Sequence, residues 1–167
     1  MTLNVLLLKS HSLMNQTVRR MLVPLLTSIV LMGCSSSQSG PASVTETSVA
    51  RAELTDRIQF IEKYVTFRRT YEKLDYDIMY QNNGGGMVPA PSDWDIQLIA
   101  VVPETEIDDW VPANVQKSDV SAPEWLEGLP GEIERHGIAE WYRKSGTTVG
   151  VDRERSIVAY RSTSTPD

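Results

Sequence analysis

An α+β domain with a mostly antiparallel sheet is the fold class that the sequence predicts for residues 49–167. Three observations carry this prediction: one segment with a helical repeat, two strand-like segments on either side of a Gly/Pro loop, and three short strand-like runs near the end of the chain. A helix followed by hairpin-connected strands is typical of this class. We therefore expect a single domain with an N-terminal helix, a long-looped hairpin and a C-terminal meander.

The N-terminal helix is predicted by its hydrophobic period. Four apolar residues recur at three- and four-residue spacing: Ala50, Leu54, Ile58 and Ile61. Glu53 stands four residues before Arg57, a spacing at which opposite charges pair on a helix surface. Thr47 or Ser48 is a suitable N-cap. The helix is thus expected to begin just after residue 48.

Two strands are predicted around a loop rich in glycine and proline. Residues 74–80 alternate between apolar and polar side chains, as in a strand with one solvent-exposed face. Residues 94–102 include apolar side chains at both even and odd positions, as in a central strand covered on both faces. The loop contains Gly84-Gly85-Gly86 and Pro89-Ala90-Pro91, which interrupt helices and strands. Alignment of the apolar faces predicts four cross-strand pairs: Tyr80 with Ile96, Ile78 with Leu98, Tyr76 with Ala100, and Leu74 with Val102.

The C-terminal meander is predicted from three short runs with strand-like composition. They cover residues 141–144, 147–151 and 156–161. Gly146 and residues 152–155 separate them and supply the turns. Neighbouring runs this close in sequence are expected to pair in antiparallel fashion.

The first 33 residues have the three zones of a secretory signal. Arg19 and Arg20 form the basic start, residues 21–32 form an apolar run, and small Gly33 occupies the cleavage position. A helix needs about 20 apolar residues to cross a bilayer, whereas this run is shorter and contains Pro24. A cleaved signal is therefore expected rather than a transmembrane anchor.

The sequence Leu31-Met32-Gly33-Cys34 closes this segment, and Cys34 is the only cysteine of the chain. These four residues resemble the lipobox of a bacterial lipoprotein precursor. The resemblance implies that the Cys34 thiol carries a diacylglycerol and that its freed amine carries a third acyl chain, which together make an effectively permanent anchor. Because Ser35, rather than an aspartate, follows the cysteine, the resemblance also implies the outer membrane, with the folded domain facing the periplasm. The alternative is an ordinary buried thiol or half of an intermolecular disulfide.

Met14, or alternatively Met21, is the expected start of the precursor. Residues 1–13 add a second apolar stretch, residues 5–8, that a signal of this type does not need. A start at Met14 places the basic and apolar zones directly at the N-terminus. Residues 34–48 are rich in Ser, Thr, Gly, Pro and Ala, which predicts a flexible tether between the anchor and the domain.

Removal of the signal makes the chain strongly acidic. The first 33 residues contain Lys9, Arg19 and Arg20 and no acid, so 13 of the 16 basic residues and all 22 acidic residues remain, a net charge of −9. Such a surface repels nucleic acid and anionic lipid headgroups, so we expect no nucleic-acid partner. A charged protein partner should be basic. Contact with the membrane is expected only through acylated Cys34.

The residues of the mature chain match no catalytic or metal-binding motif. Asp93 and Asp95, with Asn82 and Asn83 across the loop, offer oxygens to calcium but lack the spacing of an EF-hand. His136 is the only histidine of the mature chain and stands in a turn beside Gly137, without a Gly-x-Ser-x-Gly motif. One histidine and one acylated cysteine cannot supply the four ligands of a structural zinc site. We therefore predict no catalytic residue, no metal and no cofactor.

Three residues are candidates for an interaction surface. Asp93 and Asp95 are two residues apart beside the Gly/Pro loop, so both point to one face of the predicted strand. Trp141 is followed by Tyr142, Arg143 and Lys144, which makes it the tryptophan that we expect to be most exposed. The predicted function is a non-catalytic periplasmic binding or interaction module. The alternatives are an immunity-type inhibitor of a periplasmic toxin or lytic enzyme and a cell-wall hydrolase.

Overall fold

One antiparallel sheet organises the fold. The computed structural model describes residues 41–84, 90–119 and 121–165, and all of them belong to a unit that spans Ser36–Asp167. Their strands are β1 (Val44–Thr47), β2 (Lys73–Gln81), β3 (Asp93–Val101), β4 (Lys117–Ser118), β5 (Glu140–Lys144), β6 (Thr147–Asp152) and β7 (Ile157–Thr163). Within the described ranges these seven strands lie in the order β1-β2-β3-β7-β6-β5-β4. The predicted class is confirmed in its coarse form, a sheet-rich antiparallel fold with some helices.

The helices are short. They are α1 (Leu54–Ile61), α2 (Glu124–Gly128) and two 3₁₀ helices at Ser48–Ala50 and Glu104–Trp110. No helix in the described part of the chain combines the length and the apolar composition that spanning a bilayer requires.

Each face of the sheet carries its own apolar cluster. On the first face, Phe60 and Ile61 of α1 pack with strand residues, and Trp110 of the second 3₁₀ helix joins them. On the second face, Leu126 of α2 and Ile138 belong to a cluster with residues of β3, β5 and β7. The second cluster covers only part of its face, which determines where the candidate site lies.

The long-looped hairpin is present, and β3 is central as predicted. It pairs with β2 on one side and β7 on the other. Leu98 is buried in the first cluster and Ile99 in the second, so the strand is covered on both faces. The predicted pairs, however, are wrong by two residues: Tyr80 lies opposite Trp94, Ile78 opposite Ile96, Tyr76 opposite Leu98, and Leu74 opposite Ala100. A slip of two keeps every side chain on its face, so the hydrophobic pattern alone cannot detect it.

The C-terminal meander is also present. β5 pairs with β6 and β6 with β7, close to the predicted boundaries. Ser145 and Gly146 both have positive φ, at 43° and 75°, as a two-residue hairpin turn of type I′ requires. The pairing of β7 with β3 then joins the meander to the hairpin in one sheet.

The N-terminal part of the domain differs from the prediction. Strand β1 pairs with β2, so residues 44–47 belong to the sheet rather than to a tether that extends to residue 48. Helix α1 begins only at Leu54, and neither Thr47 nor Ser48 caps it. Ser48 instead donates to Asp75, and the Arg57 guanidinium also turns to Asp75 rather than pairing with Glu53. Contacts with β2 therefore override the local helical pattern.

Candidate functional site

The second face of the sheet is divided into a covered half and an open half. Cross-strand pairing aligns one row of residues, which are all buried: Asp75, Ile99, Ala159, Gly150 and Trp141. The adjacent row contains only polar residues, and none of them is buried: Asp77, Gln97, Arg161, Thr148 and Arg143. We call this second set the open row. Polar side chains fixed on an uncovered sheet face make it the candidate functional site.

Asp75 marks the boundary between the two halves. Its carboxylate is 3% exposed, pairs with the Arg57 guanidinium at 2.9 Å, and accepts the backbone N–H groups of Glu132 at 2.9 Å and Ile133 at 3.2 Å. Gly131, at φ 120°, lies directly against this carboxylate. These bonds tie residues 131–133 to β2. Asp75 therefore holds the covering segment on the sheet and is not part of an accessible site.

Trp141 lies at the other end of the covered half. It is 2% exposed, packs edge-on against Trp125 and donates its indole N–H to the Ile138 carbonyl at 3.1 Å. A β-carbon added to Gly150 would stand 2.6 Å from the Trp141 ring, so the glycine makes room for it. The expectation that Trp141 is exposed is therefore wrong, and Trp141 offers no interaction surface.

Asp95 lies beside the open row and is held by two neighbours. Arg161 binds both of its oxygens, from Nε at 2.9 Å and from Nη2 at 3.0 Å. Gln97 donates to the same carboxylate at 3.1 Å. Bidentate pairing of this kind fixes orientation as well as charge. Asp93 is on the same strand face, where the Asn83 amide donates to it at 3.1 Å.

The observed register also brings Asp77 close to Asp95. Asp95 lies opposite Met79, two residues from Asp77, and such diagonal neighbours are about 7 to 8 Å apart. Burial raises the pKa of the Asp77 carboxyl above its ordinary value, and the negative charge of Asp95 acts in the same direction. The ionised Asp77 thus lowers the stability of the folded state.

We predict that Asp77→Asn increases the free energy of unfolding at neutral pH. In the parent protein the folded state binds this proton more tightly than the unfolded state does, so stability recovers as the pH falls through the raised folded pKa. In the variant this gain in stability at falling pH should be absent. In the parent protein the gain is complete near the pKa of the unfolded state, about 4. Urea titrations at a series of pH values measure both effects. Lower stability of the variant at neutral pH would contradict the prediction.

A small pocket lies where the open row reaches β5. It has a volume of about 270 Å³ and is lined by basic, hydroxyl and glycine residues: Arg143, Lys144, Ser145, Gly146, Thr147, Thr148, Arg161 and Thr163. We call it the arginine pocket. The Thr163 N–H donates to the Gly146 carbonyl at 2.9 Å, which holds the β5–β6 turn against β7.

A second cleft, which we call the aromatic groove, opens on the first face of the sheet. Its volume is about 400 Å³, and its walls include Tyr64, Tyr80, Trp94 and Tyr160. The Trp94 indole donates to the Ser162 hydroxyl at 3.2 Å. The aromatic groove is more apolar than the arginine pocket and has Thr147 in common with it.

His136 and Asp95 are far apart. The His136 carbonyl accepts a bond from Arg155, which also pairs with Asp152. Asp152 lies opposite Ile157, which in turn lies opposite Val101. Val101 is six residues along β3 from Asp95, about 20 Å at the rise of a strand. The two residues therefore do not share a site.

Searches against protein-family models, curated proteins and solved structures find no match for this chain. Of the predicted site residues, Asp93 and Asp95 lie together on the open half of the sheet, Trp141 is in the core, and Cys34 lies outside the described residues. The described residues hold no cluster of three or more His, Cys, Asp or Glu side chains suited to a metal ion. Arg161 and Thr148 were not among the predicted site residues, although the two-residue alternation of strand side chains places both on this face.

Proposed function

We propose that this chain is an outer-membrane lipoprotein, anchored through acylated Cys34, whose domain binds a basic protein in the periplasm and catalyses no reaction. The lipobox resemblance supports the anchor. The path of the chain is consistent with it, since Pro41 is held at one end of the sheet by a 2.7 Å bond from the Asn82 amide. The binding role rests on the open half of the second sheet face.

One observation carries the binding proposal. Met79 is 42% exposed and is one of two exposed large apolar side chains among the described residues. Polar and acidic residues of β2 and β3 surround it on the same sheet face. We call this set the Met79 patch, and it consists of Asp77, Met79, Gln81, Asp93 and Asp95. An apolar contact ringed by charges has the anatomy of a protein interface, where methionine is enriched.

The contacts of the acidic residues favour binding over catalysis. Both Asp95 oxygens accept bonds from Arg161, and one also accepts from Gln97. Three of the roughly four acceptor sites of this carboxylate are thus occupied by its own neighbours, which leaves little access for a proton from a substrate. His136 stands at the opposite end of the sheet and cannot assist it. Asp77 and Asp93, which form no ion pair within the described residues, give this surface the negative charge that suits a basic partner.

Affinity recovery from solubilised envelopes tests this proposal. We expect the acylated protein to retain one basic partner after mild crosslinking, and we expect the association rate to fall with salt. Met79→Lys should reduce recovery of the partner at least about tenfold, because it places a positive charge at the centre of the interface. A partner of neutral or acidic charge, or none, would contradict the proposal.

Val49→Lys provides the matched control. Val49 is 70% exposed and is the other large apolar side chain on the described surface, but it lies outside the Met79 patch. The same substitution there should leave recovery unchanged. If both variants lose the partner equally, the Met79 patch is not the interface. Recovery of a toxin or lytic enzyme as the partner would identify the domain as an immunity-type inhibitor.

A further inference from the structure

The arginine pocket is a basic site on an acidic domain. Its lining residues include no carboxylate, and the nearby Asp95 is already paired with Arg161. Arg143 and Lys144 are exposed, and within the described residues neither forms an ion pair. The Lys144 ammonium reaches only the Ala113 carbonyl, at 3.5 Å. The net positive charge of the pocket therefore comes from Arg143 and Lys144.

The pocket lies at the end of the sheet where the chain enters the domain. β1 starts at this end with Val44, which lies opposite Tyr80 near the end of β2. The antiparallel ladder places the end of β5, at Lys144, and the start of β6, at Thr147, at the same end. Pro41, just before β1, is bonded to Asn82 there. A membrane anchor before Pro41 therefore brings this end of the sheet toward the lipid surface.

The dimensions allow simultaneous contact by the anchor and the pocket. Pro41 is seven positions after Cys34, and seven extended Cα–Cα steps span at most about 25 Å. Five strand spacings separate β1 from β5, which corresponds to about 24 Å across the sheet. With acyl chains inserted beside β1, the arginine pocket can face the headgroups of the same bilayer.

We propose that the arginine pocket binds the phosphate of an anionic lipid headgroup and so orients the anchored domain on the membrane. This inference rests on the proposed lipid anchor. Arginine offers a planar fork of donors that matches phosphate oxygens, and lysine adds a compact positive charge. The hydroxyls of Ser145 and Thr148 are additional donors around the cavity.

Amine footprinting of Lys144 tests the proposal on the acylated protein. The protein is inserted into vesicles of phosphatidylcholine alone or of phosphatidylcholine with phosphatidylglycerol, and acetylation rates are read by mass spectrometry. We expect Lys144 to react about fivefold more slowly on the anionic vesicles, because a basic side chain at such a surface gains about 1 kcal/mol. Lys73, at the opposite end of β2, should react equally on both. Equal rates for Lys144 on the two vesicles would overturn the proposal.

Two further experiments distinguish a lipid phosphate from free phosphate and test whether Arg143 is required. Inorganic phosphate added to detergent-solubilised protein should give Lys144 little protection; full protection there would assign the pocket to a free anion and overturn the lipid assignment. Arg143→Ala should abolish the protection of Lys144 on anionic vesicles, whereas Lys73→Ala should preserve it. Protection that survives Arg143→Ala would contradict a site built on this arginine.

Flotation with neutral vesicles tests the anchor separately. Arg143→Ala should float as the parent protein does, because the acyl chains hold both, whereas Cys34→Ala should remain in solution. A failure of the lipid anchor thus appears as parent protein that does not float. A failure of the arginine pocket appears as equal modification of Lys144 in protein that does float.

Discussion

Asp75→Ala should lower the free energy of unfolding by about 3 to 5 kcal/mol, the usual result of removing one partner of a buried ion pair. The substitution leaves the Arg57 guanidinium without its carboxylate. It also removes the acceptor for the backbone N–H groups of Glu132 and Ile133 and for the Ser48 hydroxyl. Unsatisfied buried donors of this kind cost about 1 to 3 kcal/mol each when water cannot reach them. The segment that covers half of the second sheet face thereby loses its attachment to β2.

Urea denaturation measures this effect, and Asp77→Ala is its matched control. Asp77 is the next carboxylate on the same face of β2, and no donor in the described residues bonds to it. Its removal should change the free energy of unfolding by less than about 0.5 kcal/mol or increase it slightly. Equal losses for the two variants would show that Asp75 does not hold the covering segment.

Gly150→Val should lower the free energy of unfolding by about 3 kcal/mol, at the upper end of the range for overpacked cores. The new β-carbon would lie 2.6 Å from two atoms of the Trp141 ring and 2.8 Å from an Ile138 methyl group. The indole must move, and its bond to the Ile138 carbonyl at 3.1 Å is lost with it. The packing of Trp125 on Trp141 is disturbed as well.

Two variants check the cause of this loss. Gly128→Ala, where nothing lies within 4 Å of the added β-carbon, should change stability by less than about 1 kcal/mol. The double variant Gly150→Val with Trp141→Leu should be less destabilised than the sum of the two single changes, because the smaller side chain leaves room for valine. Strict additivity would show that Gly150 does not serve to accommodate Trp141.

The sequence predicts structure best where apolar residues repeat every two residues, as in a strand, or every 3.6 residues, as in a helix, within one short segment. The strands β2, β3, β5, β6 and β7 were predicted near their observed positions, since alternating apolar residues and turn-forming glycines mark them. The face of each hairpin residue was also predicted correctly, but not the register. A shift of two residues leaves the hydrophobic pattern unchanged, whereas it moves Asp95 next to Asp77.

Long-range contacts account for the expectations that were wrong. Asp75 alternates with apolar residues along β2, a pattern that predicts a solvent-exposed side chain. It is nevertheless buried, because residues 131–133 fold over it. Trp141 precedes charged residues, yet α2 and the segment after it cover its side of β5. Neither covering segment has a strong hydrophobic period. The residues of the open row lie between positions 77 and 161 and are brought together by four strand pairings. Because they are far apart in the sequence, no short motif identifies them.

The most direct test of the proposed lipoprotein is the mass of the mature protein extracted from envelopes. We expect a chain that begins at Cys34, lacks residues 1–33 and carries a diacylglyceryl group and an amide-linked acyl chain. Digestion should place the whole added mass on the N-terminal peptide, and Cys34→Ala should move the protein to the soluble fraction. An extracted chain in which Cys34 is internal, with a free thiol and the preceding residues still attached, would contradict the proposed lipid anchor.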